Sequence, residues 1–406
     1  MILTFAWRYF KAKKSTNAIN IIAWVTLSVI AFATCCQVLV LSVFNGFEGL
    51  VKNLYSAFYT DIRISPARGK TFLLDSGRIS DLRLDPGVDQ LSMIAEDKAL
   101  LKNHDAQTVI YLKGVEDNYS RVSGVAQRTN YGVFKTGTAE SPFLVAGAGL
   151  QNAVGINVDP AFQSTELTVI LPKRTASGSD PLNLMSEGNL KASGIFTIQQ
   201  DFDNKYAITN IGFVKQQMDF AADEYSAIEI KIREKINPDE VKKRLANSFG
   251  SNFKVETKYE QNSSLYDTMK MEKWAIYAVL TFILFIAAFN MVSALTMLVL
   301  EKKKDISILQ SMGANRSSLL KIFLAEGLLL GGIGAVSGIL MAVLICFLQI
   351  KFKLIKITGG SFLIDYFPVK LLASDFLLVG ATSAIIAILA SWFPARKASI
   401  QKIELR

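Results

Sequence analysis

A phosphate-cradling loop needs a glycine-rich turn of fixed length ahead of its lysine, and the chain offers one Gly-Lys-Thr triplet, Gly69-Lys70-Thr71. The first glycine of that pattern would stand at position 64, which is Ile64, so the turn is not encoded and ATP is not expected to bind this chain by that motif. Histidine chemistry fares no better. The single His104 has no ligand-spaced partner for a metal, and one histidine nearly excludes a serine or cysteine triad. Cys35, Cys36 and Cys346 all lie inside apolar runs, which leaves no disulfide framework. Those runs also lack paired carboxylates: Glu326 stands at the edge of one, and Asn290 inside another would line a cavity or bond a neighbouring helix. No catalytic residue, metal or bound cofactor is expected, and any work the chain does is mechanical.

The elements that would do such work are visible in the distribution of apolar residues. Half of the 406 residues are hydrophobic, and they gather in uncharged runs at 19–44, 274–300, 327–350 and 376–393. Each is long enough to cross a hydrocarbon layer roughly 30 Å thick as a helix. The first exceeds the apolar core of a signal peptide and reads as an uncleaved anchor; Phe32-Ala33-Thr34 before Cys35 fits a lipoprotein cleavage site poorly. The net charge of +9 would raise nucleic-acid binding in a soluble domain. Here Arg8, Lys11, Lys13, Lys14, Lys302, Lys303, Lys304, Arg316, Lys321, Arg396, Lys397, Lys402 and Arg406 flank the runs, so the charge sets topology, with both termini cytoplasmic and no nucleic-acid partner. Lys351, Lys353 and Lys356 run against that tendency but are outnumbered.

The layout expected is a cytoplasmic amphipathic N-terminal segment at 1–18, spans at 19–45, 274–300, 322–350 and 374–393, and an external domain at 46–273. A cytoplasmic segment at 301–321, an external loop at 351–373 and a cytoplasmic tail at 394–406 complete it. Inside the external domain, DIRISP at 61–66, TVIYLKGV at 108–115, LTVIL at 167–171 and AIEIKI at 227–232 have the alternation or β-branched content of strands. Asn237 as N-cap, Pro238 in the first turn, and Val241, Leu245 and Phe249 on one face before Gly250 predict a helix, with a strand at 253–257 after it. A further helix beginning near Asn262 is expected to continue into the second span, as a rigid stalk able to transmit motion.

Between the second and third spans lies EKKKDISILQSMGANRSSLLKIFLAE. Ile306, Leu309 and Met312 recur at near-helical spacing and Gly313 offers a break, which predicts a short amphipathic helix across the membrane face. Its apolar stripe could sit among lipid headgroups or fill a groove on a soluble partner. This segment resembles the one after the second span of FtsX-type ABC transporter permeases, most of all the lipoprotein-releasing permeases of the LolC/LolE type. In that family the segment is the coupling helix that docks on the ATPase. The resemblance implies ATPase contacts at Glu301, Asp305, Ile306, Leu309, Met312, Gly313 and Ala314.

Three other stretches carry the same resemblance. LSVFNGF at 41–47 is similar to the family motif at the outer end of the first span, which implies a substrate entrance formed by Val43, Phe44, Asn45, Gly46 and Phe47. From the residues alone, Asn45-Gly46 would perturb the helix and the phenylalanines would be interfacial aromatics. FLIDYFPVKL at 362–371 resembles the short outer loop before the last span, and PARKASIQKIELR the cytoplasmic ending. The Pro-, Ser- and Gly-rich 172–187 reads as a surface loop. By position it resembles the hook that captures a periplasmic carrier, which implies contacts from Pro172, Leu182, Leu184 and Met185.

The fold implied is an α+β membrane protein: four transmembrane helices, and between the first two a large mixed α/β periplasmic domain. That domain would be a ferredoxin-like subdomain interrupted by a β-rich insertion at about 116–191. The partners implied are a LolD-like ATPase holding ATP and Mg, a second permease subunit, identical or paralogous, a LolA-like carrier and acylated lipoproteins. The function implied is extraction of those lipoproteins from the inner membrane. The alternatives are a MacB-like peptide or drug efflux permease and an FtsX-like transmembrane regulator of a cell-wall hydrolase.

Overall fold

The computed structural model describes residues 17–158, 165–174, 184–356 and 366–400. The N-terminal segment, most of the 172–187 loop with Leu182, and the start of the FLIDYFPVKL stretch lie outside them. The chain divides into two compact units. A bundle unit takes Met1–Leu50, Asp267–Thr358 and Ile364–Arg406, and a sheet unit takes Val51–Tyr266 and Gly359–Leu363.

In chain order, α1 is Asn17–Phe58, followed by β1 (Ile62–Pro66), β2 (Phe72–Leu73), α2 (Ser76–Leu84), β3 (Val88–Asn103) and β4 (Ala106–Val115). After a helical turn at Tyr119–Val122 come β5 (Thr129–Gly132), β6 (Phe143–Gly147), α3 (Ala148–Val154), β7 (Glu166–Pro172) and β8 (Met185–Phe196). A second turn at Gln200–Asp203 precedes β9 (Tyr206–Asn210), α4 (Ile211–Met218), β10 (Glu224–Tyr225), β11 (Ala227–Ile232), α5 (Pro238–Phe249) and β12 (Phe253–Thr257). The remaining helices are α6 (Ser263–Glu301), α7 (Lys303–Ser311), α8 (Arg316–Phe352) and α9 (Ala373–Ser399). Among the described residues α1, α6, α8 and α9 are long and apolar enough to cross a membrane.

Of the three hydrophobic cores in the sheet unit, two are built on sheets that share one strand, and the third gathers Phe58, Tyr119, Phe196 and Phe202. β12, β1, β11 and β3 lie side by side, all antiparallel, with α2 after β1 and α5 after β11, which is a βαββαβ arrangement. Leu82 of α2 and Val241, Leu245 and Phe249 of α5 cover one face, packed on Ile62, Ile64, Leu91, Met93, Ile228 and Ile230. Helix α5 is fixed by its ends: the Asn237 side chain accepts from the Asp239 amide, Pro238 fills the first turn, and Gly250 stops it at φ 74°.

β3 is sixteen residues long, and its two halves serve different neighbours. Val88–Ile94 pairs with β11, whereas the second half pairs with β4 on one edge and, through Leu100–Lys102, with β7 on the other. From β4 the pairing passes through β9, β6, β8 and β7 back to β3, closing a hydrogen-bonded circuit around Leu101, Leu112, Leu144, Val169, Leu190, Ala207 and their neighbours. The insertion expected at 116–191 is therefore wider, because β3, β4 and β9 belong to the circuit as well. A charge-balanced network, buried at Lys113, Glu229 and Tyr119 and half-buried at Arg63 and Glu96, fastens these two cores. Arg63 bonds Glu96 and, at 2.8 Å, Glu229, while Lys113 donates to Glu229 at 2.6 Å and to the Tyr119 hydroxyl at 2.8 Å. Burial disfavours the Glu96 carboxylate, but Arg63 and Lys113 outweigh it and hold the group below the usual range.

In the bundle unit the glycines of α8 are where neighbours come closest. A Cβ on Gly327 or Gly331 would strike Ser391 or Ala387 of α9, and one on Gly334 or Gly338 would strike Ile30 or the Ala31 carbonyl of α1. Small residues let helix backbones approach and gain dispersion contacts where lipid offers no hydrophobic drive. Helix α9 continues through Pro394 to Ser399, beyond the span end expected at Phe393.

Candidate functional site

The functional stretches singled out by sequence meet in pairs at two places in the bundle unit. At the first, α1 passes through Asn45-Gly46 without a break, so this dipeptide does not perturb the helix. What it does is admit a neighbour. Gly46 lies so close to the Pro368 carbonyl that any Cβ would collide with it, and Phe47 meets Phe367 edge-on at 5.8 Å. The Lys370 amide donates to the Ser42 carbonyl at 2.9 Å. LSVFNGF and the described part of FLIDYFPVKL are thus one packed site.

Asn45, only 2% exposed, is the polar centre of that site. Its amide nitrogen donates to Asp375 at the start of α9 and to the Lys370 carbonyl at 3.4 Å, and its oxygen accepts from Lys273 of α6 at 2.7 Å. Lys273 and Asp375 stand 3.6 Å apart, which closes a triangle. A buried charge is tolerable only when paired and hydrogen-bonded, and each corner here satisfies the other two. Val43 and Phe44, half-buried, flank the triangle on α1.

The second place brings the 301–321 segment to the PAR stretch. Gly313, at φ 90°, ends α7, and the Ala314 amide returns to the Leu309 carbonyl at 2.9 Å, a turn that a side chain would strain. Asn315 then caps α8 by accepting from the Ser318 amide at 2.8 Å. Ile306 is buried against Leu298 and Val299 of α6, Leu319 and Phe323 of α8, and Ala395 and Ala398 of α9, with Leu309 partly covered beside it.

The residues expected to touch an ATPase therefore divide. Ile306 and much of Leu309 are taken up in holding α7 to its own bundle. Met312 is 80% exposed, with Ile308 at 58%, and Gly313 is exposed beside them. Asp305 pairs with Lys302 at 3.2 Å, and Glu301 and Ala314 are half-buried. Ile308 was not singled out from sequence, because a period counted from Ile306 puts it on the polar side.

In the sheet unit, the stem of the 172–187 loop is held by its backbone, the Lys173 amide donating to the Leu184 carbonyl at 2.8 Å above the Pro172–Met185 pair. Leu184 and Met185 are exposed, while Pro172 is half-buried. Lys273, Tyr277, Thr281 and Asp375 were also not singled out from sequence. The available signal was a lysine and an aspartate each set directly at the end of an apolar run.

Residues 277–403 match the family model described as FtsX-like permease C-terminal. Those residues, from Tyr277 of α6 to the end of α9 and just beyond, resemble the C-terminal part of an FtsX-like permease. Beyond that stretch the chain is similar along nearly its whole length to lipoprotein-releasing system transmembrane proteins. It is 23% identical over 408 residues to LolC of Xylella fastidiosa, covering 98% of this chain and 96% of that one. To LolE of Haemophilus influenzae it is 22% identical over 409 residues, 97% and 96% of the two chains. To LolC of Neisseria meningitidis serogroup B it is 25% identical over 417 residues, again 97% and 96%. The periplasmic region of MacB from Actinobacillus actinomycetemcomitans aligns with 55% of this chain and 98% of its own at 11% identity, with a TM-score of 0.37 that is too low to establish a common fold.

Proposed function

We propose that this chain is an FtsX-type permease, the membrane subunit of an ABC transporter that extracts acylated lipoproteins from the inner membrane and passes them to a periplasmic carrier. The observation that carries the reading is the similarity to LolC and LolE over 97–98% of the chain. The basic residues Lys302 to Lys304 put α7 on the cytoplasmic side, where a separate ATPase binds ATP and Mg and hydrolyses the nucleotide. The exposed Met312 and Ile308 give that subunit an apolar contact, and burying two such side chains supplies about 1.5–3 kcal/mol each. A second permease subunit completes the pair. The Gly46–Phe367 site lies on the periplasmic side, at the substrate entrance, and the stem at Pro172 and Met185 presents the carrier-binding loop.

The test is purification of the tagged protein from its native membrane in mild detergent, with bound proteins and lipids identified by mass spectrometry. An ATPase together with triacylated lipoproteins is expected. An ATPase accompanied by a cell-wall hydrolase or an outer-membrane channel, without lipoproteins, would overturn the substrate assignment.

A further inference from the structure

Lys273, Tyr277 and Thr281 follow one another at intervals of four along α6 and so form a single stripe on one helix face. Each member makes a polar contact with another helix of the bundle. Lys273 holds Asn45 and Asp375, the Tyr277 hydroxyl bonds Thr382 of α9, and Thr281 accepts from the Gln37 side chain of α1 at 3.0 Å. From Leu284 onward the buried residues of α6 become apolar: Leu284, Ala287, Ala288, Met291 and Leu295 pack on Ile30, Ala33, Leu330, Ile386 and Ala387. One helix thus meets its neighbours mainly through side-chain hydrogen bonds over its outer turns, where Tyr277 also packs beside Val38 and Val379, and mainly through apolar packing below them, with a single 3.5 Å contact from the Thr26 hydroxyl to the Asn290 carbonyl.

The difference decides which part can open onto water. A parted hydrogen bond is remade with water at small net cost, whereas a parted apolar contact exposes surface at about 25 cal/mol per Å². The closed stripe is also incompletely satisfied. The Gln37 side-chain oxygen, fully buried, has no hydrogen-bond partner among the described residues, and water entering a parted seam would supply one. By contrast α8 is set against α9 and α1 through glycines with no room to shift.

We infer that the Lys273-Tyr277-Thr281 stripe is a gate seam, along which α6 parts from α1 and α9 to open a wetted cleft in the bundle, pivoting on the apolar packing that begins at Leu284. The inference rests on the transporter reading, because a driven cycle must open the seam. It adds where within a single subunit the opening occurs.

The test uses the full chain assembled with its ATPase in lipid nanodiscs, with Cys35, Cys36 and Cys346 replaced by alanine. Gln37→Cys and Thr281→Cys are joined by a short bis-methanethiosulfonate linker, with and without ATP and vanadate. A several-fold fall in linking yield on nucleotide trapping is expected, while a Leu330→Cys, Ile386→Cys control pair in the apolar cluster keeps its yield. An unchanged yield at the seam, or an equal fall at the control pair, overturns the gate. A nucleotide-dependent yield without lipoprotein release supports the gate and overturns the lipoprotein reading alone. If the cysteine variants fail to assemble, Gln37→Leu with Thr281→Val makes the seam apolar. That variant should melt no lower than the parent, keep ATP hydrolysis and lose nucleotide-driven release several-fold; undiminished release overturns the gate.

Discussion

At the Asn45 end of the bundle a buried amide, a buried carboxylate and a half-buried ammonium satisfy one another, while at the α7 end an isoleucine is buried among apolar side chains and a methionine is left in the open. Both places join stretches distant in sequence and both tie α6 to α9. They differ in what happens when one member is lost. A polar triangle loses two contacts with any one corner, and both groups left behind lose part of their pairing. An apolar cluster fails in proportion to the volume removed.

The largest effect should therefore come from Asp375→Ala. It leaves the half-buried Lys273 ammonium without its counter-charge and the Asn45 amide nitrogen with only the long Lys370 carbonyl contact, and is expected to destabilise the purified protein by about 3–5 kcal/mol, read as a lowered thermal midpoint. The triple replacement Asn45→Leu, Lys273→Met and Asp375→Leu, which leaves no corner behind, should recover most of that loss; no recovery would mean that the triangle is not the unit described. Ile306→Ala removes volume only and should cost about 2–4 kcal/mol, with α7 loosened enough to raise proteolysis near Met312.

Gly46→Ala forces the Pro368 segment aside at an expected cost of about 1–3 kcal/mol, and the same change at the unencumbered Gly332 should be nearly silent in the same melt. Equal costs at the two glycines would remove the close approach as the reason for Gly46. Smallest in stability, within about 0.5 kcal/mol, is Met312→Asp, because an exposed side chain has no packing to lose. Its effect should appear instead as ATP hydrolysis no longer coupled to release. A drop in thermal midpoint with coupling intact would place Met312 in the fold and not at a partner surface.

Local signals in the sequence located what local chemistry determines. The cap, proline and glycine around α5 bound it at Asn237 and Gly250, and the β-branched runs at 62–66, 227–232 and 253–257 became strands. β3 was not legible, because VDQLSMIAEDKALLKN is rich in Leu, Ala, Glu and Lys, residues that favour helix. Pairing with β11, β4 and β7 overrides that preference. The same limit applies to the site. Each motif could be read singly, but nothing local joins Asn45 to Asp375, 330 residues away, or shows that Ile306 turns inward while Ile308 turns out.

The shared strand also has a kinetic consequence. The circuit that closes through β3, β4, β6, β7, β8 and β9 is continuous in sequence, so it can form as soon as residues 88–210 are available. β1 cannot be enclosed then, because Arg63 waits for Glu229, 166 residues later, and for β12 beyond it. Such distant pairings are slow to close. During synthesis the unpaired edge of β3 is therefore exposed until the last strands arrive, and pulse-labelled hydrogen exchange should find the amides of β4 and β9 protected before those of β1 and β12.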